Sequence, residues 1–532
     1  MRGMATASPL LSTGRSRSKR RWPAWDWRQH GPLLAIALVA FAARVIPSPR
    51  IIDDAFITFR YARHLTAREG FVYNPGERVL GTTTPLYTLL LAGLAGLSGQ
   101  QNYPSLALLV NAAADAAGCA ALAALGAALS GRRSVGLATA LLWAIAPMSV
   151  TFAIGGMETS VFVLLLTLSA LAYLRGHTRW AAAGGALVLL TRPDGALLVA
   201  PLIAGLVIRQ ARERRFPWAE AGVFLALLAP WAVFASLYFG SPIPNSIAAK
   251  TLAYRLPAEA ALVRLMQHYG TPFFEHEVLG RYWPLAGLII YLALSLLGGA
   301  AILRRRPSAW PVVIFPAVYF IAYAAANPLI FRWYLAPPLP IYFILILAGI
   351  TRVSEDVGRA LRRPDAGRWA NAVLGGVTAV FVALSLRAWT WQPDHGPSRP
   401  APVMAWHQLE LIYTEIGLAL AAQVGPHTVV AAGDVGALGY YSGARILDTV
   451  GLMSPVAAQY YPLDPALYTI SYAIAPRLIT DQQPDYVVLL EVYGRLGLLR
   501  DPGFETAYEL AWQVPTDIYG SDGMLIYWRR AP

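Results

Sequence analysis

Long apolar stretches separated by short polar ones dominate this sequence. A helix that crosses a bilayer needs roughly 17–25 mostly apolar residues. Candidate spans, some of them short and with soft boundaries, are Gly31–Pro47, Leu106–Leu129, Val135–Val150, Ser160–Leu174, Trp180–Leu190, Ala196–Ile208, Ala219–Phe239, Trp283–Leu303, Trp310–Ala326, Trp333–Ile350 and Ala370–Ala388. They predict about eleven spans. Leu86–Leu97 is too short to cross comfortably and predicts a re-entrant or interfacial helix. After Trp391 the pattern changes. Pro393, Pro397, Pro400 and Pro402 form a linker, Trp406–Val424 predicts an amphipathic helix, and Thr428–Ala432 a short buried strand. Further strands are expected at Arg445–Thr449, Tyr486–Glu491 and Met524–Trp528. The expected fold is mainly α, a polytopic helical membrane protein with a small C-terminal α/β domain. Its parts are a basic tail over 1–30, a membrane domain over 31–390 containing a first outer loop at 48–103, and the small domain over 391–532.

Composition agrees with a membrane protein. Hydrophobic residues make up 56% of the chain and charged ones only 14%, against about a quarter charged in soluble proteins. The net charge of +13 could suggest nucleic acid, but its distribution points elsewhere. Treating Leu86–Leu97 as non-crossing puts the loops around Arg132-Arg133, Arg175–Arg179, Arg209–Arg215, Arg304–Arg306 and Arg352–Arg368 on one side. The basic N-terminus (Arg15, Arg17, Lys19, Arg20, Arg21, Arg28) lies there too. Excess arginine in short loops marks the cytoplasmic face. The pattern therefore predicts a cytoplasmic N-terminus, an extracytoplasmic C-terminal domain and no nucleic-acid partner. The N-terminus has the basic and apolar parts of a signal peptide, but no convincing cleavage site precedes Asp53, so the first run is expected to be a retained span. A single cysteine, Cys119, excludes an intrachain disulfide and a thiolate metal cluster. The sequence holds no HExxH, CxxC or glycine-rich nucleotide loop.

On this topology every unusual polar cluster faces outward. Asp53-Asp54, Arg60-Tyr61, Asn74-Pro75-Gly76-Glu77 and Gly81-Thr82-Thr83-Thr84 fall in the first outer loop. Gly155-Gly156-Met157-Glu158, Arg192-Pro193-Asp194-Gly195, Pro242-Ile243-Pro244-Asn245 with Lys250, and Phe331-Arg332-Trp333-Tyr334 follow in later ones. Their gathering predicts one composite site. Asp53 and Asp54 point in different directions on a regular element, so one can serve as a general base while the other pairs with a cation such as Arg60. Both could equally cap the helix that follows. Arg60, Arg192, Lys250 and Arg332 suit a lipid phosphate, or snorkel to headgroups. Glu77 and Glu158, with Asp194 and Asn245, are candidates for orienting sugar hydroxyls or pairing with cations. Tyr61 and Tyr334 could stack on a sugar ring, or belong to an interfacial aromatic belt.

The stretch Asp53-Asp54-Ala55-Phe56-Ile57-Thr58-Phe59-Arg60-Tyr61-Ala62, followed by Tyr73-Asn74-Pro75-Gly76-Glu77-Arg78-Val79 and Thr84-Pro85-Leu86, resembles the first outer loop of the C-type (GT-C) membrane glycosyltransferases. It is most similar to the branch that includes the terminal arabinofuranosyltransferases of mycobacterial cell walls. The resemblance implies a polyprenyl-phosphate sugar donor, a glycan, lipid or protein acceptor, and inverting transfer with an acid of the first loop as base. Alignment favours Asp53 and leaves Asp54 open. The sugar implied is a pentose such as arabinofuranose, or a mannose. No cofactor is required; a divalent cation is compatible. The rival readings are a transporter or flippase of a lipid-linked precursor, expected to place polar groups near the midplane, and an inert glycan-binding scaffold using Asp434 and Asp448 at probable strand ends. Turn chemistry is the plainer role for those two acids.

Overall fold

The computed structural model describes residues 27–390, 400–402, 407–425 and 427–531. The tail residues Arg15, Arg17, Lys19, Arg20 and Arg21, the linker prolines Pro393 and Pro397, and Trp406 lie outside the described residues. The helices, in order, are α1 (Trp27–Val45), α2 (Asp53–Thr66), α3 (Pro85–Ser98), α4 (Tyr103–Ser130), α5 (Arg133–Ile145), α6 (Pro147–Ile154), α7 (Thr159–Leu174), α8 (Thr178–Thr191), α9 (Ala196–Arg212) and α10 (Trp218–Phe239). They continue with α11 (Asn245–Ala253), α12 (Ala260–Gly270), α13 (His276–Leu279), α14 (Trp283–Arg305), α15 (Trp310–Val313), α16 (Phe315–Ala326), α17 (Leu339–Ala360) and α18 (Ala366–Arg387).

Among the described residues, seven helical segments are long and apolar enough to cross a membrane, and eight if the bent pair α5–α6 is one span. α7 and α8, expected as spans, have 16 and 14 residues. The expected single span Val135–Val150 is two helices meeting at 47°. Pro147 explains the break, because it has no amide hydrogen and its ring clashes with the preceding turn. α17 is buried almost throughout and α10 almost nowhere, so the bundle has an inner helix and a lipid-facing one. α14 and α17 approach so closely that a side chain at Gly298 would strike the Leu345 carbonyl, and one at Gly349 the Leu294 carbonyl. Small residues give membrane helices this kind of contact.

α3 starts and finishes at the same end of the bundle. Its first turn follows Thr84, beside α2, while the Tyr103 hydroxyl at the start of α4 lies 2.7 Å from Thr66 Oγ1 at the close of α2. The opposite end gathers the basic loops. There Arg305 donates to the Ser130 carbonyl at 3.0 Å and Arg306 to that of Leu174.

The C-terminal region packs on the end that carries α2. It contains α19 (His407–Ala421), α20 (Gly436–Ser442) and a five-stranded sheet of β3 (Val429–Ala432), β4 (Arg445–Asp448), β5 (Tyr486–Leu490), β6 (Tyr508–Val514) and β7 (Met524–Arg529). A two-residue pair, β1 (Trp389–Thr390) and β2 (Ala401–Pro402), precedes it. The sheet order is β4-β3-β5-β7-β6, parallel across β4-β3-β5 and antiparallel beyond. β6 is absent from the strands expected from sequence. It lies at the sheet edge, where its side chains alternate only weakly between buried and exposed.

A buried ion pair ties α1 to the bundle. Arg44 Nε donates to Asp115 Oδ2 at 2.9 Å, and Asp115 also accepts from Ser160 and Trp143. Both partners are almost fully enclosed. Replacing Asp115 by Ala leaves the guanidinium buried without its countercharge, which costs about 3–5 kcal/mol. Thermal unfolding of the detergent-solubilised variant should show this loss; an unchanged melting temperature would contradict it.

Candidate active site

The site begins at the N-terminus of α2. The segment before it is extended at Ile52 and strapped down by two backbone bonds, Arg50 N–H to Ile154 O at 2.8 Å and Ile52 N–H to Gly155 O at 3.0 Å. Consecutive residues on a helix project about 100° apart, and the two acids diverge accordingly. Asp53 turns to the C-terminal region. Its Oδ2 accepts from Gly436 N–H and its Oδ1 from Ala437 N–H, both at 2.8 Å, while its own N–H donates to Glu410 Oε1 at 3.1 Å. Asp54 turns into a cavity of about 740 Å³.

Six of the residues singled out from sequence line that cavity together: Asp54, Glu158, Arg192, Asp194, Lys250 and Tyr334. Thr58, the Gly81–Thr84 run and Trp333 join them. Lys250, on α11, places its ammonium 3.5 Å from Asp54 Oδ2 and 4.6 Å over the Phe331 ring. Burial drives the Lys250 ammonium down, but Asp54, with smaller help from Tyr334 and Asp448, outweighs it and leaves the group above its usual value. Arg192 is almost fully buried. Its Nε and Nη2 grip Asp194 at 2.9 and 2.8 Å, and Nη1 reaches Glu158 at 3.2 Å. Tyr319 and Tyr323 donate to Asp194 at 2.9 and 3.2 Å. Three carboxylates therefore face two cations, with Glu158 and Asp194 both held by Arg192 and Asp54 held by Lys250.

The remaining expected residues lie elsewhere. Arg60 donates to the carbonyls of Tyr73 at 2.8 Å, Ala444 at 2.7 Å and Gly439, beneath α20. The Tyr61 ring is fully enclosed, and its hydroxyl donates to Val79 O at 2.6 Å. Glu77 pairs with Arg445 of β4. Asn245 donates to the carbonyls of Gly451 at 2.6 Å and Leu452 at 3.0 Å. Arg332 does not line the cavity, though its neighbours Trp333 and Tyr334 do; its electrostatic neighbours are Arg264 and Tyr519. The physical reason is common to Arg60, Tyr61, Glu77 and Asn245. Each polar group, buried for Arg60 and Tyr61 and half-buried for Glu77 and Asn245, packs against another segment and finds a partner there, so it joins the outer loops to the C-terminal region or to each other.

Residues that sequence reasoning passed over include Tyr254 on the cavity wall and the Tyr319–Tyr323 pair. The pair is visible in the sequence as two hydroxyls spaced i, i+4 on an otherwise apolar helix. Glu410, on α19, is another. Among the described residues no group of three His, Cys, Asp or Glu side chains is placed to hold a metal ion.

The C-terminal ends of the parallel strands face α2. Asp434, just past β3, accepts from the hydroxyls of Tyr413 at 3.0 Å and Tyr493 at 3.3 Å. Asp448, ending β4, accepts backbone amides from Val450, Gly451 and Met453 at 2.8–3.0 Å, which is turn chemistry. Burial and the Asp434 charge raise Asp53 to about 8, against the two amides that favour its charged form. Burial likewise raises Asp434 and Asp448 to about 6, and burial with Asp53 raises Glu410 well above the usual range.

Residues 402–527 match a family described as a domain of unknown function, DUF8728. The terminal beta-(1->2)-arabinofuranosyltransferase of Mycobacterium tuberculosis is 30% identical over 309 residues, 52% of this chain and 45% of that protein. The chain thus spans under half the length of this curated relative. Two solved structures share the overall fold. ArnT from Cupriavidus metallidurans, bound to undecaprenyl phosphate, has a TM-score of 0.54 at 13% identity, covering 94% of this chain and 98% of that one. The Archaeoglobus fulgidus oligosaccharyltransferase in its apo form has a TM-score of 0.51 at 14% identity, covering 94% and 74%. The chain is a multi-pass membrane protein with the GT-C fold.

The raised acids make stability depend on pH. Their folded values exceed the unfolded ones, so the fold favours their neutral forms. Their contribution to stability is complete below about pH 4. It is lost as pH rises through about 6 for Asp434 and Asp448 and about 8 for Asp53. The melting temperature of the C-terminal region should fall between about pH 5 and about pH 9, less steeply in Asp434→Asn. A rise over that interval would contradict the assignment.

Proposed function

We propose that this protein is an inverting glycosyltransferase that moves a sugar from a polyprenyl-phosphate donor to a hydroxyl of a glycan, lipid or protein acceptor. It would work in a bacterial plasma membrane, with the N-terminus cytoplasmic and the cavity and C-terminal domain extracytoplasmic. The observation that carries this reading is the Asp54–Lys250 pair, 3.5 Å apart within the cavity. A base for the acceptor hydroxyl and a cation for the leaving phosphate, opening on one cavity, suit the transfer.

In this mechanism the acceptor oxygen attacks the anomeric carbon and Asp54 takes the hydroxyl proton. The bond from the anomeric carbon to the phosphate oxygen breaks, and its electron pair leaves with the polyprenyl phosphate. That phosphate gains one negative charge as Asp54 loses its own. Lys250, no longer facing a carboxylate, is then free to pair with the leaving group. Glu158 and Asp194 are both held by Arg192, which leaves them poorly suited as nucleophiles and supports direct displacement over a covalent sugar intermediate. Their remaining oxygen lone pairs suit sugar hydroxyls, with Tyr334 beside them. The reaction as written needs no metal and no other cofactor. Membrane lipids surround the bundle, and no nucleic acid takes part. The 30% identical relative supports arabinofuranose, with mannose the other sugar considered.

Transfer from a radiolabelled polyprenyl-phosphate pentose, assayed in proteoliposomes, tests the reading. Asp54→Asn should lower turnover by roughly 10²–10⁴-fold, the usual range for a lost general base, while undecaprenyl phosphate still binds. Full activity in Asp54→Asn would refute the assignment.

A further inference from the structure

The C-terminal region contributes Leu452 to the cavity wall, and it also touches both helices that carry the reacting groups. The first is α2. Asp53 binds the two leading amides of α20, and Arg60, two turns or about 10 Å further along α2, binds the carbonyls of Gly439, midway along α20, and Ala444, two residues past its end. The two helices thus run side by side in the same direction, fastened at the start of α2 and again at its middle. A side chain at Gly436 would strike the Asp53 carbonyl oxygen, so their backbones nearly touch. Beyond these two points, Arg63 donates to Tyr440 O at 2.9 Å and Asn74 exchanges two bonds with the Ile446 backbone.

The second helix is α11. Asn245, its first residue, donates to the carbonyls of Gly451 and Leu452. Those carbonyls belong to the loop that Asp448 gathers through three backbone amides. Lys250 sits five residues further along the same helix. The C-terminal region therefore grips the helix bearing Asp54 at one place and the helix bearing Lys250 at another.

We infer that the C-terminal domain, whose family carries no assigned role, acts as a jig that sets the Asp54–Lys250 geometry, with Asp53 and Asn245 as positioning residues. Asp53 acts through α20 and holds the first turn of α2, which aims Asp54. Asn245 acts through the 448–453 loop and holds α11, which aims Lys250. The inference rests on the proposed roles of Asp54 and Lys250, and its tests leave both residues in place.

The test is a graded series in the full-length protein, with kcat and donor KM measured separately. Asn at position 53 can still accept one of the two amide hydrogens and Ala neither. Asp53→Asn should lower kcat about 10-fold and Asp53→Ala about 100-fold, because a displacement near 1 Å at a reacting group costs about that much. Donor KM should stay within about two-fold in both. Asn245→Ala should likewise lower kcat, about 10-fold, with donor KM within about three-fold, because Lys250 meets the phosphate only as Asp54 gives up its charge. A melting shift on adding undecaprenyl phosphate reports that each variant is folded. If an Asp53 variant loses that shift, Arg60→Lys replaces it, with the same kcat-selective loss expected. Equal losses of turnover in Asp53→Asn and Asp53→Ala, each as large as that in Asp54→Asn, would make Asp53 a chemical participant and overturn the inference. Unchanged kinetics in Asp53→Ala and Asn245→Ala would overturn it as well. Full activity in Asp54→Asn would instead overturn the proposed base, whatever the Asp53 series shows.

Discussion

Two short hydrogen bonds, from the amides of Gly436 and Ala437 to the Asp53 carboxylate, decide how the two halves of this protein meet. They consume both oxygens of the first acid in the pair and thereby fix the rotation of α2 about its axis. Because neighbouring residues diverge by about 100° on a helix, that rotation sends Asp54 into the cavity. The same constraint acts through the whole outer layer. A polar group buried at the meeting of two segments has to be matched there. The matches made by Arg60, Asn74, Glu77 and Asn245 are what hold the C-terminal region on the bundle.

The cavity obeys the same logic at closer range. Arg192 is enclosed and therefore costly unless its charge is answered. Asp194 and Glu158 answer it, and two tyrosines further satisfy Asp194. That arrangement is self-contained and rigid. The Asp54–Lys250 pair differs, being longer at 3.5 Å and more accessible, with the two side chains 30% and 22% exposed. A looser pair that can exchange partners suits a reaction in which a proton arrives on one side as a negative charge grows on the other.

That the chain is a helical membrane protein is readable from the sequence because its physics is local, although about eleven spans are expected there and seven or eight helical segments among the described residues are long and apolar enough to cross. Apolar length, arginine-rich loops and the shortness of Leu86–Leu97 each depend on a few neighbouring residues, and α3 does begin and end at one face. Polar residues also stand out in an apolar chain, which is why Asp54, Glu158, Arg192, Asp194, Lys250 and Tyr334 group together on sequence grounds alone. The division of labour among them is not readable in that way. Arg60 looks suited to phosphate, but its partners at Gly439 and Ala444 lie 379 and 384 positions away, and no local pattern announces them. Local pattern does not separate Asp53 from Asp54, and the family resemblance favours Asp53; the distant α20 is what turns Asp53 away and leaves Asp54 in the cavity. The bend at Pro147 has a local cause, hidden within a run of uniform apolar character; the weakly alternating edge strand β6 leaves only a faint trace.

The proposed chemistry turns on Lys250 changing partner from Asp54 to a lipid phosphate. A cryo-EM structure of the full-length protein with undecaprenyl phosphate bound tests this most directly. The expected result is density for the phosphate within hydrogen-bonding distance of Lys250 Nζ, with the ammonium drawn away from Asp54. A phosphate seated against Arg332 or at the basic end of the bundle, with the Asp54–Lys250 pair intact, would contradict it.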